Sequence, residues 1–133
     1  MLRVLHHDLI RAQLRRDSST RNVVVFGSNL GWQCFFAALM YGVEVHGFEI
    51  VQHRFDAAVK FADRHNVRGV IFHMEDARQS KLDWSKVGLV YMTDLLWDQH
   101  NRALVQAHFR RSTGFGTVLI SNRRRAVVTP NFI

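Results

Sequence analysis

The chain has one cysteine and one proline in 133 residues, and no tract of biased composition. A lone Cys34 excludes an internal disulfide and gives no metal-ligand spacing. Its place inside an apolar helical pattern marks an inert core thiol rather than a nucleophile. No apolar run approaches the ~20 residues of a membrane span; the longest candidate, Val87 to Trp97, is broken by Thr93 and Asp94. An uninterrupted secretory core is absent too. Residues 1–20 are Arg-rich, with Leu2, Leu5, Leu9 and Ala12 on one helical face, a pattern shared with mitochondrial presequences. Asp8 and Asp17 run against that reading, because such peptides avoid acids. We therefore read 1–20 as an amphipathic helix and 21–133 as the domain it packs on, in an intracellular protein (cytoplasmic or nuclear, with the mitochondrion the lesser alternative).

Acids are scarce as well. Eleven Asp and Glu face 18 Lys and Arg, for a net charge of +7, and arginine supplies 15 of the bases. Such an excess attracts anions in general: nucleic acid, acidic proteins, anionic lipid. A protein or nucleic-acid partner is expected and, without a span-length apolar run, no membrane. The dense spots are Arg15-Arg16 and Arg123-Arg124-Arg125, without the interleaved aromatics of a single-strand stacking platform. A solubilising basic surface explains them equally well. Oligomeric state is left open. Eight histidines give no catalytic arrangement: His6-His7-Asp8 lacks a third ligand, and His46 and His73 fall inside strands.

What is present is alternation. Apolar runs at 22–26, 43–48, 67–73, 89–92 and 117–121 read as strands. Helices are expected over 32–41, 54–65 and 98–111. The first would be capped by Ser28 or Asn29 and stopped by Gly42. The second would turn Phe55, Ala58, Val59 and Ala62 inward, and the third Ala103, Leu104, Ala107 and His108. Residues 77–87 are polar and irregular, with Trp84 covering a sheet edge. A short apolar piece, 126–128, precedes Pro130. This order predicts an α/β fold: a doubly wound, mostly parallel sheet of five to six strands, its first strand central and its C-terminus shortened.

Ligands of such sheets bind outside the carboxyl ends of the strands. Strand one delivers Gly27, Ser28 and Asn29 there, with Gly31 closing a glycine turn that could approach a ligand. Strand two delivers Glu49, strand three Glu75 and Asp76, strand four Thr93, Asp94 and Leu95. Three successive strands thus end in a carboxylate, which favours a ligand rich in hydroxyl and N–H donors. Glu49 lies 18 residues beyond Gly31, close to the ~20 at which an acid takes ribose hydroxyls. No basic clamp for a phosphate is evident.

Gly27-Ser28-Asn29-Leu30-Gly31, Gly47-Phe48-Glu49-Ile50 with Arg54, Glu75-Asp76-Ala77 and Met92-Thr93-Asp94-Leu95 resemble, in order and spacing, the motifs of class I S-adenosylmethionine (SAM)-dependent methyltransferases. The resemblance spans about residues 22 to 122, and within the class it leans toward the seven-strand histone lysine methyltransferases. It implies SAM as cofactor. Gly27, Ser28, Asn29 and Gly31 would line its methionine part and sugar, Glu49 would hold the ribose diol, and Asp76 would receive the adenine amino group. Thr93, Asp94 and Leu95 would stand near methyl transfer to a protein or other macromolecular acceptor. The chain departs from that pattern at Val25, where the family carries an acid, and at Asn29, where it carries glycine. The family's last antiparallel strand pair is expected to shrink to 126–133.

Two other readings compete. A nicotinamide-dependent dehydrogenase would need glycines where Asn29 and Trp32 stand. A non-catalytic module of the same fold, bound to nucleic acid or a protein partner through its basic surface, fits Val25 and the net charge.

Overall fold

The computed structural model describes residues 6–15, 22–94, 97–114 and 116–122, and the backbone of 126–128. Leu2, Leu5, Leu95, Arg16 and the Arg123–Arg125 cluster of the sequence reading lie outside the described residues. The described elements are α1 (Asp8–Leu14), β1 (Asn22–Phe26), α2 (Trp32–Tyr41), β2 (Val45–Phe48), α3 (Gln52–Arg64), β3 (Val70–His73), β4 (Val87–Met92), α4 (Gln99–Ser112), β5 (Val118–Ser121) and β6 (Ala126–Val128). Two short 3-10 turns, Ala77–Gln79 and Trp84–Lys86, lie between β3 and β4.

The strands form one sheet in the order β3-β2-β1-β4-β5-β6. Strands β1 to β5 are parallel, and β6 returns antiparallel along β5. That is the doubly wound sheet the alternation predicts. Val23, Val24 and Val25 at its centre are fully buried, as a parallel strand covered on both faces requires. Strands two, three and five start later than their apolar runs. Gly69, at φ +81°, turns the chain just before β3 and offers its carbonyl to the Val45 N–H.

Two cores sandwich the sheet. One packs Ile10, Leu14, Cys34, Ala37 and Ala38 from α1 and α2 against Val23, Val25, Val45, Leu89, Tyr91, Val118 and Ile120. The other packs Val105 and Phe109 of α4, with Trp84, against Val24, Phe48, Val90, Met92 and Leu119. Here the structure corrects several helix faces. On α1, Ile10, Gln13 and Leu14 are buried while Leu9 and Ala12 are exposed. On α4, Val105 and Phe109, one turn apart, replace Leu104 as the buried pair. On α3 only Ala58 is buried, and Phe61 turns instead to Phe35 and Trp32. Trp84 covers no edge; it sits inside the second core, 5.3 Å from the Phe109 ring. Among the described residues no helix is long and apolar enough to cross a membrane.

Candidate functional site

The turn after β1 is built from backbone hydrogen bonds. The N–H groups of Gly27 and Ser28 both donate to the Phe48 carbonyl at 2.9 Å, and the Gly31 N–H donates to the Ser28 carbonyl at 2.8 Å. Gly27, Asn29 and Gly31 hold positive φ of 72°, 56° and 88°, which suits two glycines and an asparagine, a residue type that tolerates the left-handed region well. Neither Ser28 nor Asn29 caps α2. Gly31 is the N-cap residue, in left-handed conformation and without a side-chain bond. Gly31 also serves packing rather than ligand approach: a Cβ there would stand 2.8 Å from the Phe72 ring and 3.1 Å from Phe35. Ser28 is fully buried and its Oγ has no hydrogen-bond partner.

Glu49 ties the loop to β2. Its Oε2 accepts the Asn29 N–H and its Oε1 the Val51 N–H, both at 2.9 Å, and the residue is 5% exposed. Each oxygen keeps a second lone pair. Asp76 is more heavily engaged. It accepts the Arg78 backbone N–H at 2.9 Å and is forked by the Arg78 guanidinium, with Nη2 at 2.6 Å from Oδ2. That bond, above all, holds its carboxyl below the usual range.

Thr93 and Asp94 act at the other side. Thr93 Oγ1 donates to the Gly27 carbonyl, fastening β4 to the glycine turn. Asp94 is fully buried, accepting the Ser121 hydroxyl at 2.6 and 2.8 Å and the Asn122 N–H at 2.9 Å. Its carboxylate therefore faces β5.

A cavity of about 710 Å³ opens along this rim. Of the residues singled out in the sequence, Gly27, Asn29, Glu49, Glu75, Asp76 and Thr93 line it; Ser28, Gly31 and Asp94 do not. Arg54 and Arg78 line it too, so the rim is not devoid of base, although Arg78 is neutralised by Asp76. Among the described residues four acids (Glu49, Glu75, Asp76, Asp98) stand against these two arginines. The described lining is thus acidic on a chain of net charge +7.

Sequence reasoning missed Trp97, Asp98, Asn101 and Asn122. Trp97 packs edge-on to Phe26 at 4.9 Å and lines the cavity with it. Asp98 caps α4 by accepting the Asn101 N–H at 2.7 Å, a signal the sequence did carry, since Asp before a helical run is a standard cap. Asn122 follows the β5 run directly, and listing strand ends through β5 as well would have found it. No cluster of metal-ligating side chains exists among the described residues.

No family model matches the sequence, and no curated protein matches it. Solved structures do match, through the fold. The RNA methyltransferase from Salinibacter ruber, in complex with S-adenosyl-L-homocysteine (SAH), superposes with a TM-score of 0.64 at 23% identity, over 84% of this chain and 71% of that one. A SAM-dependent methyltransferase from Thiobacillus denitrificans, also with SAH, gives 0.66 at 22% identity, over 83% and 44%. Geranyl diphosphate C-methyltransferase from Streptomyces coelicolor gives 0.68 at 15%, over 84% and 41%. The fold is thus the Rossmann-like fold of class I SAM-dependent methyltransferases. Against the last two, the chain spans less than half of the protein it matches.

Proposed function

We propose that the chain binds SAM in this cavity and is a SAM-dependent methyltransferase. The observation that carries the reading is the acidic hollow at the strand rim of a methyltransferase fold, lined by a buried Glu49 whose two oxygens each accept only one backbone N–H. SAM carries a sulfonium and an ammonium against one carboxylate, so surplus acid favours it over a pyrophosphate dinucleotide.

In this reading Glu49 takes the ribose hydroxyls, Gly27 and Asn29 border the methionine part, and Ile50, 73% exposed at the cavity edge, offers a face to the adenine ring. Asp76 receives the adenine amino group once Arg78 yields one oxygen. Bound there, SAM supplies an electrophilic methyl carbon. The protein's part is to hold donor and acceptor in line at short range. Thr93 does this indirectly, through the Gly27 carbonyl, and Asp94 by anchoring the end of β5. The net charge of +7 supports a nucleic-acid or acidic protein acceptor; the histone lysine subtype rests on the motif resemblance alone.

A second reading, a binding module without turnover, is favoured by Val25, which is fully buried where the family carries an acid. Methyl transfer from labelled SAM to cell extract separates the two. Turnover supports the enzyme. SAM-dependent thermal stabilisation without any labelled product supports the module.

A further inference from the structure

The cavity has two halves set by strand order. Asn29, Glu49, Ile50, Val51, Arg54 and Asp76 come from the β1, β2 and β3 side. Trp97, Asp98, Asn101, Val105 and Asn122 come from the β4, α4 and β5 side. Gly27 and Thr93 stand between them. The first half is the proposed cofactor site, which leaves the second for whatever receives the methyl group.

Three features of the second half define its chemistry. Its walls are aromatic and flat: a Cβ on Gly27 would stand 3.5 Å from Trp97 Cζ2, so the indole reaches across the glycine turn, edge-on to Phe26. Its charge is negative, from Asp98. The Asn101 backbone N–H, first among its partners, holds the Asp98 carboxyl below the usual range, so it stays ionised. Among its described donors without an acceptor are the Asn122 amide and the Trp97 indole N–H. The Tyr91 hydroxyl donates to Asn122 Oδ1 at 2.6 Å, and no other acceptor for that proton is found among the described residues. Burial, and then the Asp94 charge, push the Tyr91 phenol up, so it remains a donor at neutral pH. With Oδ1 held by Tyr91, the exposed Asn122 amide keeps both Nδ2 protons for a ligand at the cavity. The backbone below is pinned by the Asn122 N–H to Asp94 Oδ1 bond, at 2.9 Å.

Resting on the methyl-transfer reading, we infer that this half receives a flat, uncharged group bearing a hydrogen-bond acceptor, seated against Trp97 and read by the Asn122 amide. Asn122 is then the specificity-determining residue, and Tyr91 and Asp94 are its positioning residues. A carboxylate or phosphate in the same place would meet Asp98. A purely apolar ring would leave the Asn122 donors without a partner, the asymmetry by which polar sites reject apolar analogues.

The test uses two flat probes of one shape, benzamide and benzoate, added to protein already saturated with SAH. Two-dimensional 1H–15N spectra follow the Asn122 side-chain NH2 and the Trp97 indole N–H. SAH affinity is measured first by calorimetry; absence of SAH binding to the wild type defeats the cofactor reading, and this inference with it. Given SAH binding, benzamide is expected to shift both signals and to bind about tenfold or more tightly than benzoate. Asn122→Ala should weaken benzamide by roughly 3- to 10-fold, one neutral hydrogen bond, with SAH affinity retained. Tyr91→Phe keeps the ring in the core but frees the amide. It should weaken benzamide comparably and broaden the Asn122 NH2 signals, which a purely structural role for the tyrosine would not do. Benzoate binding as well as benzamide, or Asn122→Ala binding benzamide like the wild type, overturns the inference.

Discussion

Single residues show how far a rim of acids differs from a site. Glu49, Asp76 and Asp94 look alike in the sequence, each closing a strand. In the structure they differ by partner. Glu49 retains free lone pairs, Asp76 is shared with Arg78, and Asp94 is fully occupied by Ser121 and Asn122. Their positions were legible because the side-chain period and strand ends fix them; their partners were not. Asp94 meets residues 27 and 28 positions away, and Thr93 a carbonyl 66 positions away. Such separations leave no local trace. Two predictions belong here. Asp94→Asn should lower stability by about 1–3 kcal/mol, since it disturbs a charged buried acceptor. Because its side chain does not line the cavity, SAH affinity should change by no more than about threefold, a small effect on a free-energy scale. Gly31→Ala should cost about 2–4 kcal/mol, from left-handed strain and from crowding Phe72 and Phe35. Chemical denaturation reads both.

Elements were read better than their faces. The alternation of apolar runs and helical spacings gave a parallel, doubly wound sheet with its first strand central, because parallel strands are buried on both sides and crossovers have one hand. Helix faces failed where two apolar stripes competed, as on α4, where Val105 and Phe109 won over Leu104. Tertiary packing decides such contests, and the sequence pattern alone is degenerate. The β2–β3 pair carries a prediction of its own. His46 Nδ1 and His73 Nε2 are 2.9 Å apart, with Glu44 Oε1 2.7 Å from His46 Nε2 and Glu75 Oε1 3.7 Å from His73 Nδ1. Burial, and then the charge of His46, pull the His73 imidazole below its ordinary 6.5, with Glu75 opposing. A lowered imidazole means that the unfolded chain takes up the proton first. Stability is therefore full above pH 6.5 and falls as the pH drops from there toward the native value. Melting curves across that window should show the decline, and His73→Gln should lessen it, leaving the share of His108, whose imidazole burial also lowers.

At the scale of the whole molecule, a chain of net charge +7 carries a hollow whose described lining has more acid than base. Composition alone pointed to anionic partners and could not reveal the reversal at the rim. That reversal arises only when strand order gathers acids scattered over 50 positions, from Glu49 to Asp98. Nucleic-acid binding by the basic exterior should weaken steeply with salt, through release of counterions; a salt-independent affinity would argue against phosphate contacts. The hollow should behave in the opposite sense, preferring a cationic nucleoside to an anionic one. Calorimetric titration of the wild type with SAM and, separately, with NAD tests that preference most directly. The account predicts one SAM site per chain and NAD binding at least about a hundredfold weaker, near 2.7 kcal/mol. NAD binding as tightly as SAM, or no heat from SAM at millimolar concentration, would contradict it.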